Sequence, residues 1–152
     1  KKFASTNVMT KTHPGFMTDW QAPWTVLMTK ANGISEIHET VFENRFGYVE
    51  ELKKLGAKID YIYPSIKDKK KLYQFNFIKE GPQFPQAIRI HGPTKLHNAV
   101  LSVTDLRAGA SLLIAASSAQ GESIIEGAAV IDRGYENIDD KLKSLGAKIK
   151  RV

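Results

Sequence analysis

Val103-Thr104-Asp105-Leu106-Arg107-Ala108-Gly109-Ala110, followed by the apolar run Ser111-Leu112-Leu113-Ile114-Ala115-Ala116, is the stretch whose reading decides the fold. It reads as the end of a strand, a helix cap, and a helix with Arg107 in its first turn. The hydroxyl of Thr104 or the carboxylate of Asp105 accepts from the N–H groups that open a helix without an intrahelical partner. Acid at that end suits the helix dipole, whereas a cation there opposes it. Taken alone, an Asp105–Arg107 pair decorating the cap accounts for the arginine. An anionic partner for its guanidinium is the alternative. From Ala108 to Ala116 the helix is apolar on nearly every side. Such a helix is expected to be buried all round, with sheets packed about it.

The stretch has an echo. Thr18-Asp19-Trp20-Gln21-Ala22 resembles Thr104-Asp105-Leu106-Arg107-Ala108, and each opens an apolar helix. Gly33 then corresponds to Gly121, and Arg45 to Arg133. Leu55-Gly56-Ala57-Lys58-Ile59 returns letter for letter as Leu145-Gly146-Ala147-Lys148-Ile149. The offsets are 86, 88, 88 and 90, so one unit is copied with small insertions. Two copies are too few for a solenoid array. They indicate one domain over residues 1–152, built from two units at about 14–98 and 99–152.

With 152 residues, 42% of them hydrophobic, the chain can bury one sizeable core. It contains no apolar run long enough for a membrane span. Its first residues, Lys1-Lys2-Phe3-Ala4-Ser5-Thr6, lack the apolar centre of a signal peptide. The absence of cysteine excludes disulfides, thiol catalysis and cysteine metal sites within the chain, and fits a cytoplasmic protein. A net charge of +6 favours anionic partners without choosing among nucleic acid, acidic lipid and phosphorylated small molecules.

Along the chain, a short strand is expected through Asn7-Val8-Met9 and a turn at His13-Pro14-Gly15-Phe16. Trp20, Trp24, Leu27 and Ala31 recur at helical spacing, predicting a helix over 19–31 that ends at Asn32-Gly33. A strand over 34–39 follows. In a helix over 46–55, Phe46, Val49 and Leu52 face away from Glu50, Glu51, Lys53 and Lys54. Strands are expected over 57–63, 87–91 and 98–103. Between the first two lies a charge run, Lys67-Asp68-Lys69-Lys70-Lys71, then Tyr73, Phe75 and Phe77 at alternate positions, closed by Gly81-Pro82 and Pro85. Basic residues beside aromatics suit single-stranded nucleic acid. A long hairpin over 64–86 with a solvated tip is the preferred reading. After the central helix come a strand over 122–126, a helix carrying Tyr135, Ile138, Leu142 and Leu145, and a last strand over 147–152. Each unit thus reads β-α-β-α-β-β, an α/β (α+β) chain.

Four motifs occur in order: Thr18-Asp19-Trp20-Gln21-Ala22-Pro23, Glu39-Thr40-Val41-Phe42-Glu43-Asn44-Arg45-Phe46, Thr104-Asp105-Leu106-Arg107-Ala108 and Ile131-Asp132-Arg133-Gly134-Tyr135. Together they resemble the C-terminal part of the UDP-N-acetylglucosamine 1-carboxyvinyltransferase family, enolpyruvyl transferases that begin peptidoglycan precursor synthesis. The resemblance covers about 14–63 and 87–152; the segment 64–86 is longer than the hairpin usual in that family. It implies an inverse α/β barrel of repeated β-α-β-α-β-β units, helices inside and sheets outside. It also implies that the chain is a fragment, two of the three units of one domain. The missing N-terminal domain would carry a cysteine that acts as acid and adduct former. The resemblance gives UDP-N-acetylglucosamine and phosphoenolpyruvate as substrates, with no cofactor, metal, nucleic acid or membrane involved.

The same resemblance assigns residues. Asp19 matches an aspartate that meets the sugar 3-hydroxyl as base or positioning partner, and Val41 a position touching the nucleotide sugar. Arg45, Arg107 and Arg133 match arginines around the enolpyruvyl carboxylate and phosphate, where a planar fork suits bidentate binding. Asp105 matches a second site aspartate that orients its neighbours. Arg45 and Arg133 as ordinary surface ion pairs is the plainer reading, weakened by their equivalence across the repeat. His13, His38, His91 and His97 have the spacing of neither a metal site nor a relay. A shikimate-pathway enolpyruvyl transferase is the nearest alternative, disfavoured by the motif from Glu39 to Arg45. A non-catalytic polyanion-binding module is the other, resting on net charge alone.

Overall fold

The computed structural model describes residues 3–76 and 84–152. Its first sheet grows around β3 (Ala31–His38), which has neighbours on both sides. On one side, β1 (Phe3–Ala4) and β2 (Val8–Met9) pair with it in parallel, two short pieces of one edge. On the other, β5 (Ala87–Gly92) pairs antiparallel, with β4 (Ile59–Ile62) beyond it. Alternation puts Ser35 and Ile37 of β3 inward with Ile88 and Ile90 of β5, all fully buried. The opposite face is polar. Glu36 stands across from Arg89, whose Nη2 lies 2.7 Å from its Oε1, and Asp60 lies 2.8 Å from His91 Nε2.

Two helices cover the apolar face. A 3₁₀ turn at Thr18–Trp20 runs into α1 (Gln21–Met28), and α2 (Val49–Lys54) follows the loop after β3. Ala22, Val26 and Met28 of α1, with Val49 and Leu52 of α2, join the sheet residues in one core. The second unit has β6 (Val100–Ser102) and β7 (Ile124–Glu126) paired in parallel, with α4 (Leu106–Ser117) between them in sequence. α3 (Lys69–Leu72), α5 (Ala129–Asp132) and α6 (Ile138–Ser144) are short. Among the described residues, no helix is long and apolar enough to cross a membrane.

Several expectations are corrected. The helix over 19–31 stops at Met28, because Ala31 and Asn32 are drawn into parallel pairing with Phe3 and Ala4. Asn32-Gly33 is therefore strand, not helix stop, and Gly33 holds φ +106° against Ser5. The long hairpin expected over 64–86 is described only in part: the antiparallel pairing of β4 with β5 runs as far as Ile62 and Ala87. Beyond it Asp68 caps α3 through Lys71 N–H, and Tyr73 tucks inward instead of continuing an alternating ladder. Phe77 and Gly81-Pro82 lie outside the described residues. α4 is not buried all round: Gly109, Ala110, Leu112 and Ala115 are covered while Ile114 is exposed. Residues 147–152 form no strand; Arg151 instead pairs with Asp132 and Asp139.

Tyr73 ends its inward turn on His38, with its hydroxyl 2.8 Å from Nε2. Burial lowers the His38 pKa below the usual imidazole value, against the opposing pull of Glu39 and Glu36. A histidine held neutral when folded makes the unfolded chain the better proton binder below about pH 6.5. This contribution is full above that pH and is lost as pH falls through it. Urea unfolding between about pH 7.5 and 5 is expected to lose stability, and His38→Gln should flatten that slope. An unchanged slope would remove His38 as its source.

Candidate active site

The first site element is the 3₁₀ turn, which carries Asp19 with its side chain more than half exposed. The second is the opening of α4. There Asp105 is the cap: its Oδ1 accepts from Arg107 N–H at 3.1 Å and Ala108 N–H at 3.0 Å. Asp105 thus serves the backbone of Arg107, and the side chain of Arg107 turns elsewhere. Its Nε lies 2.8 Å from Asp19 Oδ1. The anion that explains a cation at a helix N-terminus is Asp19, from the first unit, and not the neighbouring Asp105.

Arg45 completes the cluster from the loop before α2. Asn44, at φ +49°, turns the chain through the left-handed region, which asparagine tolerates better than most residues. Arg45 Nη2 then reaches the same Asp19 oxygen at 3.1 Å, while its guanidinium carbon sits 5.3 Å from the centre of the Phe42 ring. Two guanidiniums on one partly exposed carboxylate add little to stability, since such pairs contribute about 0–1 kcal/mol each. The cluster faces a cleft of about 330 Å³, walled by Asp19 and Arg45 of the first unit and Thr104, Asp105 and Arg107 of the second.

Of the six residues singled out from sequence, Asp19, Arg45, Asp105 and Arg107 meet at this cleft. Val41 and Arg133 do not line it. Val41 is half-buried, and its N–H donates to Glu39 Oε1 at 2.8 Å. Arg133 is exposed at the end of α5; the next residue, Gly134, packs on Leu106 in the first turn of α4. Among the described residues, no group of three or more His, Asp or Glu side chains is placed to hold a metal ion.

Three polar side chains of the wall are not foreseen from sequence. Glu51 belongs by its spacing to the solvated face of α2, yet its side chain is 15% exposed and its Oε2 accepts from Ser102 N–H at 2.9 Å, tying α2 to β6. Gln21 and Tyr48 are buried and joined by a 3.0 Å hydrogen bond from the phenol to Gln21 Oε1. Burial pushes the Tyr48 phenol pKa up, so it stays a donor. A glutamine among apolar neighbours at a helix start is the one available signal. Chemically, the cleft offers two forked cations for a planar anion and a carboxylate within the same reach for a hydroxyl proton.

Comparison with known proteins gives the family. A family model described as EPSP synthase (3-phosphoshikimate 1-carboxyvinyltransferase) matches residues 1–142. The chain is 46% identical to a UDP-N-acetylglucosamine 1-carboxyvinyltransferase of Chlamydia abortus, over 92% of this chain and 30% of that protein. It is 43% identical to the protein of that name from Pelagibacter ubique, over 100% of this chain and 31% of the other. Among solved structures, the crystal structure of the enolpyruvyl transferase NikO from Streptomyces tendae superposes with a TM-score of 0.80 at 27% identity, covering all of this chain and 30% of that one. The chain thus spans about 30% of the length of the curated relatives it matches.

Proposed function

The chain belongs to the EPSP synthase family, and from that membership and its 43–46% identity to UDP-N-acetylglucosamine 1-carboxyvinyltransferases we propose that it forms part of an enolpyruvyl transferase moving the enolpyruvyl group of phosphoenolpyruvate to the 3-hydroxyl of UDP-N-acetylglucosamine. Phosphate is the other product, and the reaction is the first committed step of cytoplasmic peptidoglycan precursor synthesis. The observation that carries this reading is the meeting of Arg45, Arg107 and Asp19 in one cleft, from segments far apart in sequence.

In this mechanism an incoming carboxylate or phosphate competes with Asp19 for the two guanidiniums. Their planar forks suit both anions; Arg133, outside the cleft wall, is the third arginine that the family resemblance implies. Asp19, relieved of its cations, accepts the proton of the sugar 3-hydroxyl. The sugar oxygen bonds to the carbon bearing the phosphate as the neighbouring CH2 carbon takes a proton; that methyl group then gives a proton back and the carbon–oxygen bond to phosphate breaks, re-forming the double bond, with the arginines stabilising the departing charge. Val41, outside the cleft wall, has a sugar contact only as the family resemblance implies, and Asp105 fixes the first turn of α4 and with it Arg107. The acid that protonates the enol carbon is the cysteine of the domain the resemblance implies. This chain contributes no cofactor to the scheme.

The chain alone is expected to release no phosphate from phosphoenolpyruvate and UDP-N-acetylglucosamine above a heat-killed control. The full-length protein should release it only when the sugar nucleotide is present. Release driven equally well by shikimate 3-phosphate would transfer the reading to the other acceptor, and activity of the chain alone would remove the need for a second domain.

A further inference from the structure

We propose that Glu39 is a positioning residue for the cleft, its buried carboxylate holding in register the two segments that carry Asp19 and Arg45. This deepens the transferase reading and rests on it for the activity arm of its test.

Glu39 follows the last residue of β3 and is 1% exposed. Among the described residues it has no cation within ion-pair distance. Its charge is met instead by five hydrogen bonds, more than the four lone-pair positions of a carboxylate would demand. Oε1 accepts from Thr10 Oγ1 at 2.8 Å, Val41 N–H at 2.8 Å and Phe42 N–H at 3.1 Å. Oε2 accepts from Thr18 Oγ1 at 2.8 Å and Gln21 Nε2 at 2.6 Å. A buried charge is a poor device for stability alone, because apolar replacements of similar volume often do as well or better. The positions of the donors point to a different use.

Thr18 and Gln21 flank Asp19, so Oε2 pins the turn from which Asp19 projects. Val41 and Phe42 begin the loop that reaches Arg45, so Oε1 pins the other segment. The Arg45–Asp19 contact, spanning 26 residues, closes the far side of the same frame. A carboxylate also dictates the direction of the hydrogen bonds leaving it. Because it only accepts, the amide group of Gln21 must face it, which turns Gln21 Oε1 toward the Tyr48 hydroxyl. Tyr48 then donates to Gln21, and its hydroxyl oxygen lies 2.8 Å from Thr25 Oγ1. The orientation of two cleft-wall side chains, Gln21 and Tyr48, follows from Glu39.

The test uses the full-length protein with Glu39→Gln, which keeps the volume and replaces one acceptor oxygen by an amino group. Thr18→Val is the second variant, removing one donor without touching the carboxylate. Misplacement of a reacting group by a fraction of an ångström to 1 Å costs up to about 100-fold in rate. For Glu39→Gln the expected fall in kcat is about 10–100-fold, with KM for both substrates changed less than about threefold and the melting temperature lowered, because the new amino group faces buried donors. Thr18→Val should show the same split, smaller. In parallel, amide hydrogen exchange should speed up at Val41 and Phe42 in Glu39→Gln and not at Ile88 in the core. Turnover unchanged in both variants, while Asp19→Asn is inactive, overturns the proposal. If the parent protein shows no transfer activity, the transferase reading fails instead, and exchange decides: unaltered protection at Val41 and Phe42 overturns positioning, and selective loss upholds it. Should Glu39→Gln not fold, Thr18→Val decides the matter by the same two readouts.

Discussion

Asp19→Asn in the full-length protein is expected to lower turnover on the order of 10²–10⁴-fold while leaving the fold in place. The amide is nearly the shape of the carboxylate and keeps an oxygen for Arg45 and Arg107, but it cannot take a hydroxyl proton. The structural cost is small for a reason visible in the geometry. Asp19 caps no helix, since the 3₁₀ turn has no side-chain cap, and its side chain is 57% exposed. Weakening two partly exposed ion pairs costs less than about 1 kcal/mol. Melting temperature against turnover number is the deciding comparison. A turnover number that survives would end the assignment of Asp19 as base, and a collapsed melting temperature would make it structural.

Asp19→Asn carries a second consequence. The carboxylate is the resting partner of both arginines, so its charge competes with any anionic ligand. The variant should therefore bind inorganic phosphate at least as tightly as the parent, whereas Arg107→Ala should bind it more weakly. Titration at low salt is the suitable measurement, because such contacts are screened.

Gly92→Ala is expected to destabilise the fold by about 3 kcal/mol, lowering the melting temperature by about 6–12 °C. Gly92 ends β5 opposite Gly33, where the strand passes the end of α1. A Cβ there would overlap the carbonyl oxygen of Ala31 and lie 2.7 Å from that of Met28. Neither obstacle is the far end of a side chain that can rotate away. The strand and the turn after α1 have to part, which loosens the β3–β5 pairing that supports both helices. Gly47→Ala is the control: its added carbon meets nothing within 4 Å and it should change stability little. Equal melting temperatures for the two variants would show that the close approach is relieved at no cost.

What the sequence determined by itself was local. Leu55-Gly56-Ala57 and Leu145-Gly146-Ala147 are spelled alike and end their helices alike. Gly56 and Gly146 stand at φ +91° and +93°. Their N–H groups donate at 2.8 Å to Lys53 and Lys143, and those of Ala57 and Ala147 at 3.0 Å to Leu52 and Leu142. Such a stop needs only a residue free to turn left-handed and a few neighbours, so it is legible in a short window. The order of strands and helices in the first unit was legible for the same reason, as was Asp105 or its neighbour as a cap.

Tertiary structure decided everything that joins distant segments. Leu55 is fully buried while its twin Leu145, at the equivalent end of α6, is 83% exposed, because the first joins the core under the sheet and the second does not. The final strand failed for lack of a paired neighbour, since a strand exists only through hydrogen bonds to another. Arg107 pairs with Asp19 and not with the aspartate two residues away, whose Oδ1 accepts from the backbone N–H groups of the cap. Glu39 looks in sequence like one more charge after a strand. Five donors from three separate stretches make it the buried anchor of the cleft, and only folding brings those donors together.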